Sequence, residues 1–247
     1  STRGEPLGMS WILEDIGDAV ALVASTGSGI NTLADLKGKK IAMPFNSTTH
    51  FHTMVALEQA KVNPADVQIL NMRPPEIRAA WQRGDIHATF IWDPVLAEVK
   101  KEGKVITSSG KISADTGKAT FDGYVANKDW AKANKDFMVK FVKVMAAADD
   151  KYRKGGAKWA ADSAEVKAIA KWSGSKPENV PASMALYRFP TVAEQASPKW
   201  LGGGKDGVAA KALAATAAFQ LTQKQIEKTL PDYSVAVNAS YAQEAGK

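Results

Sequence analysis

A turn rich in hydroxyl groups is the feature of this chain best suited to hold a small ligand. It reads Pro-Phe-Asn-Ser-Thr-Thr-His from Pro44 onward and opens onto a predicted helix. Such a turn directs unpaired backbone N–H groups and the positive end of a helix dipole at one point, which suits an anion. Ser47, Thr48 and Thr49 add hydroxyl donors, and no charged residue lies between Pro44 and Phe51. Neutral donors would therefore hold the ligand, unless Ser47 or Thr48 simply caps its own helix.

A second candidate position lies at the end of another predicted strand. Residues 86–91 read as a buried strand, which delivers Trp92 and Asp93 just before Pro94 starts a helix. Ligands of open α/β sheets bind beyond the carboxyl ends of the strands. Trp92 is therefore predicted to line a ligand site, whereas Asp93 either joins that site or caps the following helix.

Acidic residues offer a third kind of chemistry. Asp122 lies within the predicted strand 121–126. A carboxylate among apolar strand residues needs a partner, which is either a set of backbone donors or a ligand cation. Glu14, Asp15 and Asp18 follow another predicted strand, and we expect these three residues in a solvated loop.

The histidines are not spaced as metal ligands. His50 and His52 lie two residues apart on a predicted helix and so point to different faces. His50 would reach a ligand at the helix N-terminus, with a surface or packing position as the alternative. Cysteine is absent, which excludes disulfides and thiolate ligands. No cofactor fingerprint occurs either, so neither a metal nor a cofactor is expected.

An enzyme acting on a small anion is the alternative to a binding protein. Such an enzyme would use His50 as a general base, with Asp93 or Asp122 as its partner. The sequence places no nucleophile beside these residues and carries no known catalytic signature. Catalysis is therefore not expected.

Composition indicates an ordinary globular chain. The 247 residues are 45% hydrophobic and 23% charged, and no apolar run is long enough to span a bilayer. The formal charge of +6 weakly favours anionic partners. The lysines are spread along predicted helices and are not gathered with aromatic residues, so nucleic-acid binding is not expected. The first residues, Ser-Thr-Arg-Gly-Glu, do not begin a signal peptide, so any export leader would already have been removed.

Alternating strand and helix patterns must position these residues. They predict α/β units with largely parallel sheets. Strands are predicted at 11–13, 19–24, 40–43, 67–71, 86–91, 105–106 and 121–126. Helices are predicted at 33–36, 49–61, 75–82, 94–101, 136–153, 162–172 and 208–219. In the helix 136–153, the predicted core-facing side chains are Phe137, Phe141, Val144, Met145 and Tyr152.

Five blocks of this sequence, taken together, are typical of one family. The blocks are Trp-Ile-Leu-Glu-Asp-Ile-Gly-Asp from Trp11, Leu-Lys-Gly-Lys-Lys-Ile-Ala from Leu36, Pro-Phe-Asn-Ser-Thr-Thr-His from Pro44, Ala-Ala-Trp-Gln-Arg-Gly-Asp from Ala79 and Phe-Ile-Trp-Asp-Pro from Phe90. They resemble the taurine-binding proteins, within the sulfonate, nitrate and thiamine-precursor group of periplasmic binding proteins of ABC transporters. The similarity continues through Phe-Asp-Gly-Tyr at Phe121 and weakens towards the C-terminus.

The resemblance implies a type II periplasmic-binding-protein fold of the α/β class. Two lobes, each a sheet flanked by helices, are joined by two hinge strands and close on a ligand between them. The inner lobe would span 25–112, and the outer lobe would combine 1–24 with 113–247. Family members carry a further βαβ portion before Trp11, so the first part of the outer lobe is expected to be missing from this chain.

The resemblance also implies a receptor without catalytic activity. It would capture taurine or a related small sulfonate, an anionic or zwitterionic ligand, and deliver it to an ABC permease in the inner membrane. The sulfonate would be received by Ser47, Thr48, Thr49 and His50. Trp92 would pack on the short carbon chain, and Asp122 would pair with the ammonium group. The protein is expected to be a periplasmic monomer, either free or lipid-anchored.

One departure from the family pattern bears on the ligand. Family members often carry a glutamate where this chain has Val20. If that glutamate helps to bind the amine, its loss favours an alkanesulfonate without an amine over taurine. Nitrate and a pyrimidine precursor are further alternatives. Nitrate would leave Trp92 and Asp122 without a role, and a pyrimidine would need more aromatic side chains around it.

Overall fold

Strands and helices alternate along the chain largely as the sequence predicts. The computed structural model describes residues 4–247, so Ser1, Thr2 and Arg3 of the predicted outer lobe lie outside the described residues. The strands are β1 (Leu7–Asp15), β2 (Val20–Ser25), β3 (Lys40–Met43), β4 (Gln68–Asn71), β5 (Ala88–Trp92), β6 (Gly103–Ser108) and β7 (Phe121–Asn127). The helices are α1 (Thr48–Gln59), α2 (Pro74–Arg83), α3 (Val95–Val99), α4 (Ser109–Thr116), α5 (Lys128–Ala133), α6 (Lys135–Gly155), α7 (Ala164–Ser173), α8 (Val180–Met184), α9 (Val192–Ala196), α10 (Val208–Thr222) and α11 (Ser240–Ala245). Within residues 4–247, no helix combines the length and the apolar character needed to cross a bilayer.

Short helices account for most differences from the predicted elements. The predicted helix 33–36 is a single 3₁₀ turn, Leu33–Leu36. The helices α4, α5, α8, α9 and α11 were not predicted, because elements of five to eight residues are too short to show a helical period.

The described chain divides into two compact units. Unit 1 comprises the described residues up to Asp15, together with Lys118–Lys158 and Arg188–Lys247. Unit 2 comprises Ile16–Gly117 and Trp159–Tyr187. The predicted inner lobe, 25–112, lies within unit 2. The arrangement of two lobes joined by hinge strands stays a prediction.

A five-stranded mixed sheet organises unit 2. Its strand order is β4-β3-β5-β2-β6, with β3 parallel to β4 and β5 and with β2 antiparallel to β5 and β6. The prediction of largely parallel sheets is therefore wrong. Strand β2 is buried along almost its whole length, and a strand covered on both faces shows the same continuous apolar run in either orientation.

Two helices pack against this sheet and complete an apolar core. The core joins β2, β3 and β5 to α2 and α3 through buried side chains that include Val23, Ile77, Ile91 and Leu96. Helix α2 starts with prolines and ends where Gly84 adopts a φ of 74°, a left-handed conformation that favours glycine. These two signals explain why the predicted bounds of α2 lie within one residue of the observed bounds at each end.

Strand β1 organises unit 1. It pairs antiparallel with β7, from Leu7 opposite Asn127 to Asp15 opposite Phe121. Away from β7, the buried side chain of Gln195 accepts a hydrogen bond from the Ile12 N–H (3.0 Å) and donates one to the Ile12 carbonyl (2.6 Å). The Gln195 amide thus replaces a neighbouring strand, because buried backbone groups require partners.

Both faces of β1 are covered. Trp11 is fully buried in a cluster with Met138 of α6 and Tyr241 of α11. Ile12 lies in a second cluster with Trp200 and with Ala209 of α10. Unit 1 therefore has two small apolar cores, one on each side of β1.

The buried face of α6 matches the predicted one only in part. Phe141 and Met145 pack against the core as predicted. Phe137 and Val144 are 55% and 67% exposed, whereas Met138 and Val142 of the same helix are buried. The centre of the buried face is therefore rotated away from Phe137 and Val144 towards Met138 and Val142. The prediction followed the larger aromatic side chains, and Asp149 at the end of the true buried face masked the pattern.

The two faces of α6 allow a matched test of this correction. Val142→Ala should lower the free energy of unfolding by about 2 kcal/mol, because it opens a cavity beside Trp11 and Met138. Val144→Ala makes the same chemical change at an exposed site and should leave stability unchanged or slightly higher, since alanine favours helix. Urea unfolding followed by circular dichroism measures both. Equal losses in the two variants would contradict this assignment of faces.

Candidate functional site

The hydroxyl-rich turn lies between β3 and α1 in unit 2. Asn46 adopts a φ of 58° and turns the chain, and Ser47 is the N-cap of α1. The Ser47 hydroxyl accepts a hydrogen bond from the His50 N–H (3.3 Å) and donates one to the Pro44 carbonyl (2.6 Å). Ser47 therefore does cap its own helix, as one of the two interpretations of the sequence proposed.

Capping leaves other donors of the turn available. The Thr49 hydroxyl is buried and lies 2.7 Å from Ser47 Oγ, so the turn itself uses it. Thr48 is half-buried. Within residues 4–247, its hydroxyl and the backbone N–H groups of Thr48 and Thr49 have no protein hydrogen-bond partner. Two N–H groups and one hydroxyl, all neutral, thus remain at the positive end of α1 for an anion.

His50 adds a neutral ring to the same turn. Its Nδ1 accepts a hydrogen bond from the Asn46 N–H (3.3 Å), so the proton of the neutral ring is assigned to Nε2. The ring stacks on Phe45 with centroids 4.3 Å apart and planes 6° from parallel. Burial lowers the pKa of His50, which favours the uncharged ring at neutral pH. His52, in contrast, is fully buried and pairs with Ser109 through Nδ1 (2.8 Å).

Trp92 reaches the same edge of the sheet as the turn. It is the last residue of β5, and β5 is the parallel neighbour of β3, which leads into the turn. The carboxyl ends of parallel neighbours meet at one edge. Trp92 is half-buried, and the residue opposite it on β2 is the buried Val20. The surroundings of Trp92 on the β2 side are therefore apolar.

Asp93 takes the capping role. Its Oδ1 accepts a hydrogen bond from the Ala97 N–H (2.7 Å) at the start of α3. This capping bond engages the carboxylate in holding its own helix, which matches one of the two predicted roles.

Two of the three acidic residues lie in the first strand and not in a solvated loop. Glu14 lies in β1 and is only 8% exposed, and Asp15, also in β1, pairs with Arg188 (3.2 Å). Asp18 is exposed in the connection between β1 and β2, as predicted, and accepts a hydrogen bond from the Ser108 hydroxyl. The prediction is wrong for Glu14 and Asp15 because the strand extends past its apolar residues.

Glu14 and Asp122 face each other in unit 1. Asp122 is exposed on β7, and the register places it directly opposite Glu14, to which it is hydrogen-bonded. Like charges on opposite strands repel each other. Burial, and after it the charge of Asp122, raises the pKa of Glu14 to about 8. At neutral pH Glu14 therefore keeps its proton, and its O–H donates a hydrogen bond to Asp122.

A third carboxyl, Asp149, completes this acidic group. It lies on the buried face of α6, and burial raises its pKa to about 6. The charge of Arg153 and, after it, the indole N–H of Trp11 lower the pKa of this carboxyl. Nevertheless, neither Trp11 Nε1 nor Asp149 Oδ2 makes a full hydrogen bond within the described residues. We call Glu14, Asp122 and Asp149 the carboxyl cluster. Among the described residues, no set of His, Asp and Glu side chains has the geometry of a metal site.

Sequence reasoning found the turn and Asp122 but missed the partner of Asp122. The structure brings Ser47, Thr48, Thr49 and His50 together in the turn and places Trp92 at the same sheet edge. Asp122 belongs to unit 1, beside Glu14. The alignment of β1 with β7 was the missing information, because a strand register cannot be read from an acidic residue in a single strand.

The fold of this chain is shared by solved structures of other proteins. The periplasmic aliphatic sulphonate-binding protein of Escherichia coli superposes with a TM-score of 0.75, covering 98% of this chain and 76% of that protein at 23% identity. The fold of this chain is thus that of a periplasmic binding protein. A desulfurization enzyme also has a similar fold, with a TM-score of 0.63 and 13% identity over 97% of this chain and 79% of the enzyme. The fold alone therefore does not distinguish binding from catalysis.

The chain belongs to the NMT1/THI5-like family, whose model matches residues 18–154. The taurine-binding periplasmic protein of Escherichia coli is 31% identical to it over 238 residues, which cover 96% of this chain and 72% of that protein. An aliphatic sulfonates-binding protein of the same organism, described as putative, is 37% identical over 87 residues, which cover 35% of this chain and 27% of that protein.

A stability measurement should distinguish the residue that caps α1 from the residue whose donor is free. Ser47→Ala removes the N-cap of α1 and should lower the free energy of unfolding by about 1 kcal/mol. Thr48→Ala removes a hydroxyl without a protein partner and should change stability by less than about 0.5 kcal/mol. Denaturant midpoints measure both. A loss in Thr48→Ala as large as that in Ser47→Ala would show that Thr48 supports the helix.

The protonated state of Glu14 should appear in the pH dependence of stability. Its pKa in the folded chain lies well above the ordinary value of a glutamate, 4.5, so ionisation costs stability as the pH rises towards about 8. Glu14→Gln keeps a neutral donor to Asp122 and removes this cost. Its melting temperature should match that of the unmodified chain at pH 5 and exceed it by roughly 5 °C at pH 8.5. Asp162→Asn, at an exposed carboxylate, is the control. The same difference in melting temperature between Glu14→Gln and the unmodified chain at both pH values would contradict the raised pKa.

Proposed function

We propose that this protein is a solute receptor for taurine or a closely related small aminosulfonate. The observation that carries the proposal is the similarity to a taurine-binding periplasmic protein along nearly the whole chain. The free donors of the turn support it, since a sulfonate is a strong acid that stays ionised and needs hydrogen-bond donors but no proton acceptor.

The sulfonate is proposed to bind at the N-terminus of α1. The Thr48 hydroxyl and the N–H groups of Thr48 and Thr49 donate to its oxygens, and the neutral His50 ring borders the same place. Ser47 and the Thr49 hydroxyl hold the turn in shape. Preorganised donors of this kind lose little entropy on binding, which is how a small ligand is held tightly.

The carbon chain and the amine are proposed to be recognised by different groups. Trp92, with the apolar Val20 opposite it, suits the two methylene groups of taurine. Asp122 supplies the negative charge for the ammonium. The alternative ligand is an alkanesulfonate without an amine: Val20 and the shorter similarity to an aliphatic sulfonates-binding protein favour it, whereas the acidic pair of Glu14 and Asp122 favours the amine.

Transport rather than catalysis is the proposed role. The receptor would work in the periplasm as a monomer, free or lipid-anchored, and would pass its ligand to an ABC permease. The competing role, an enzyme acting on a small anion, is favoured only by the similar fold of a desulfurization enzyme. Asp93 accepts a hydrogen bond at the start of α3, and His50 accepts one from the Asn46 N–H, so each of these residues has a structural task of its own.

Isothermal titration of taurine into the ligand-free chain tests the proposal, with ethanesulfonate and nitrate as comparators. One-to-one binding of taurine, with intact taurine recovered after a day of incubation, would support a receptor. Tighter binding of ethanesulfonate would move the proposal to the aliphatic sulfonates. Release of sulfite or sulfate from taurine would instead support the enzyme.

Two substitutions should separate the ends of the ligand. Asp122→Asn removes the charge that faces the ammonium, so the affinity for taurine should fall at least about tenfold while that for ethanesulfonate stays within about twofold. Thr48→Ala should weaken both ligands by a similar factor, because both carry the sulfonate. Titration calorimetry on both variants measures these changes. An equal loss of both ligands in Asp122→Asn would show that Asp122 supports the fold and not the amine.

A further inference from the structure

We propose that Glu14 is a specificity-determining residue, which gives up its carboxyl proton when the ammonium group of the ligand binds. The inference rests on the proposed function and deepens it. It adds a second carboxyl to the recognition of the amine, and it makes binding of an amine-bearing ligand release a proton.

The geometry of the strand pair carries this inference. Cross-strand neighbours such as Glu14 and Asp122 have Cβ atoms about 5 Å apart on the same face of the sheet. Glu14 is 8% exposed and Asp122 is exposed, so the pair has one buried and one accessible member. A cation that reaches Asp122 from solvent therefore meets the Glu14 carboxyl directly behind it.

Ion pairs do not reach this group of carboxyls in the described part of the chain. Within residues 4–247, neither Glu14, Asp122 nor Asp149 forms an ion pair with lysine or arginine. Arg153 of α6 donates to the carbonyls of Phe189 and Pro190 and to Asp150, and its charge lowers the pKa of Asp149.

Arg188, beside the end of β1, pairs with Asp15 and with Glu194. Within the described residues, the charge of Arg153 and the indole N–H of Trp11 act on Asp149, whereas Glu14 faces the carboxyl of Asp122. Two carboxyls that face each other without an ion pair, one buried and one exposed, offer negative charge and acceptors to an ammonium group.

The exchange balances in charge and in atoms. Before binding, Glu14 is a neutral acid whose O–H donates to the Asp122 carboxylate, and the pair carries one negative charge. The ligand enters with its ammonium fully protonated. The O–H bond of Glu14 breaks, the proton passes to the buffer, and both carboxylates accept N–H bonds from the ammonium. The pair and the ammonium together again carry one negative charge.

Proton counting by calorimetry tests this exchange. Taurine is titrated into the chain at pH 7 in two buffers of different ionisation enthalpy, and ethanesulfonate is titrated in the same way. Glu14 has a pKa of about 8 without ligand, so taurine should release about one proton and ethanesulfonate none. The affinity for taurine should also rise about tenfold from pH 6 to pH 7 and level off above about pH 8.

Three variants identify the carboxyl that releases the proton. Glu14→Gln should abolish the release, make taurine affinity independent of pH and weaken it about tenfold at pH 8, with ethanesulfonate unaffected. Asp149→Asn removes the other buried acid and should leave the release intact, and so should Asp162→Asn at the surface. Release that persists in Glu14→Gln but disappears in Asp149→Asn would overturn the assignment to Glu14.

The unmodified chain alone can overturn the inference. Taurine binding without proton release, or equal release with ethanesulfonate, would refute the role of Glu14 and leave the receptor proposal standing. Failure of both sulfonates to bind would refute the receptor proposal itself and, with it, the inference. These outcomes do not depend on whether any variant folds.

Discussion

The hydrogen bonding of β1 is the constraint on which unit 1 depends. The strand has β7 on one edge and the Gln195 side chain on the other, and apolar clusters cover both of its faces. A strand enclosed in this way cannot slip by one residue without exposing its apolar side chains and burying its polar ones. The same register therefore fixes Glu14 opposite Asp122. The packing that stabilises the unit thus forces Glu14 and Asp122 together. The proton on Glu14 removes the repulsion between the two carboxyls.

The groups proposed to recognise the two ends of the ligand differ in their electrostatics. The turn before α1 offers hydrogen bonds without a formal charge, which matches an anion whose own charge never changes. The acidic pair offers a charge that depends on its proton. Neutral donors confer little discrimination among sulfonates, because every sulfonate presents the same oxygens. In the proposed receptor, discrimination by the amine comes from the carboxyls, because ionisation of the buried Glu14 is costly unless an ammonium group is present.

Local signals determined how much of this could be predicted from the sequence. Helix α2 was placed closely, because proline and glycine mark its ends, and the turn at Ser47 was found because a cap and a helix start have a recognisable sequence. Strand orientation was missed, since the buried run of β2 contains no information about direction. The buried face of α6 was predicted only in part, because Asp149 interrupts its apolar pattern. The failures thus concern pairing and the placement of a buried charge, both of which tertiary contacts decide.

The failure at Asp149 and the failure at Glu14 have the same physical origin. Sequence reasoning assigns carboxylates to solvent, because burial of a charge is expensive. Burial of a carboxyl that keeps its proton is less costly, since a neutral acid is a polar group with one donor and its acceptors and carries no charge. Both residues are buried with raised pKa values and lie near one another in unit 1. Val20, in contrast, presents an apolar side chain opposite Trp92, so position 20 offers no carboxylate for an amine. In the proposed receptor, the preference for an aminosulfonate then depends on how readily Glu14 ionises beside Asp122.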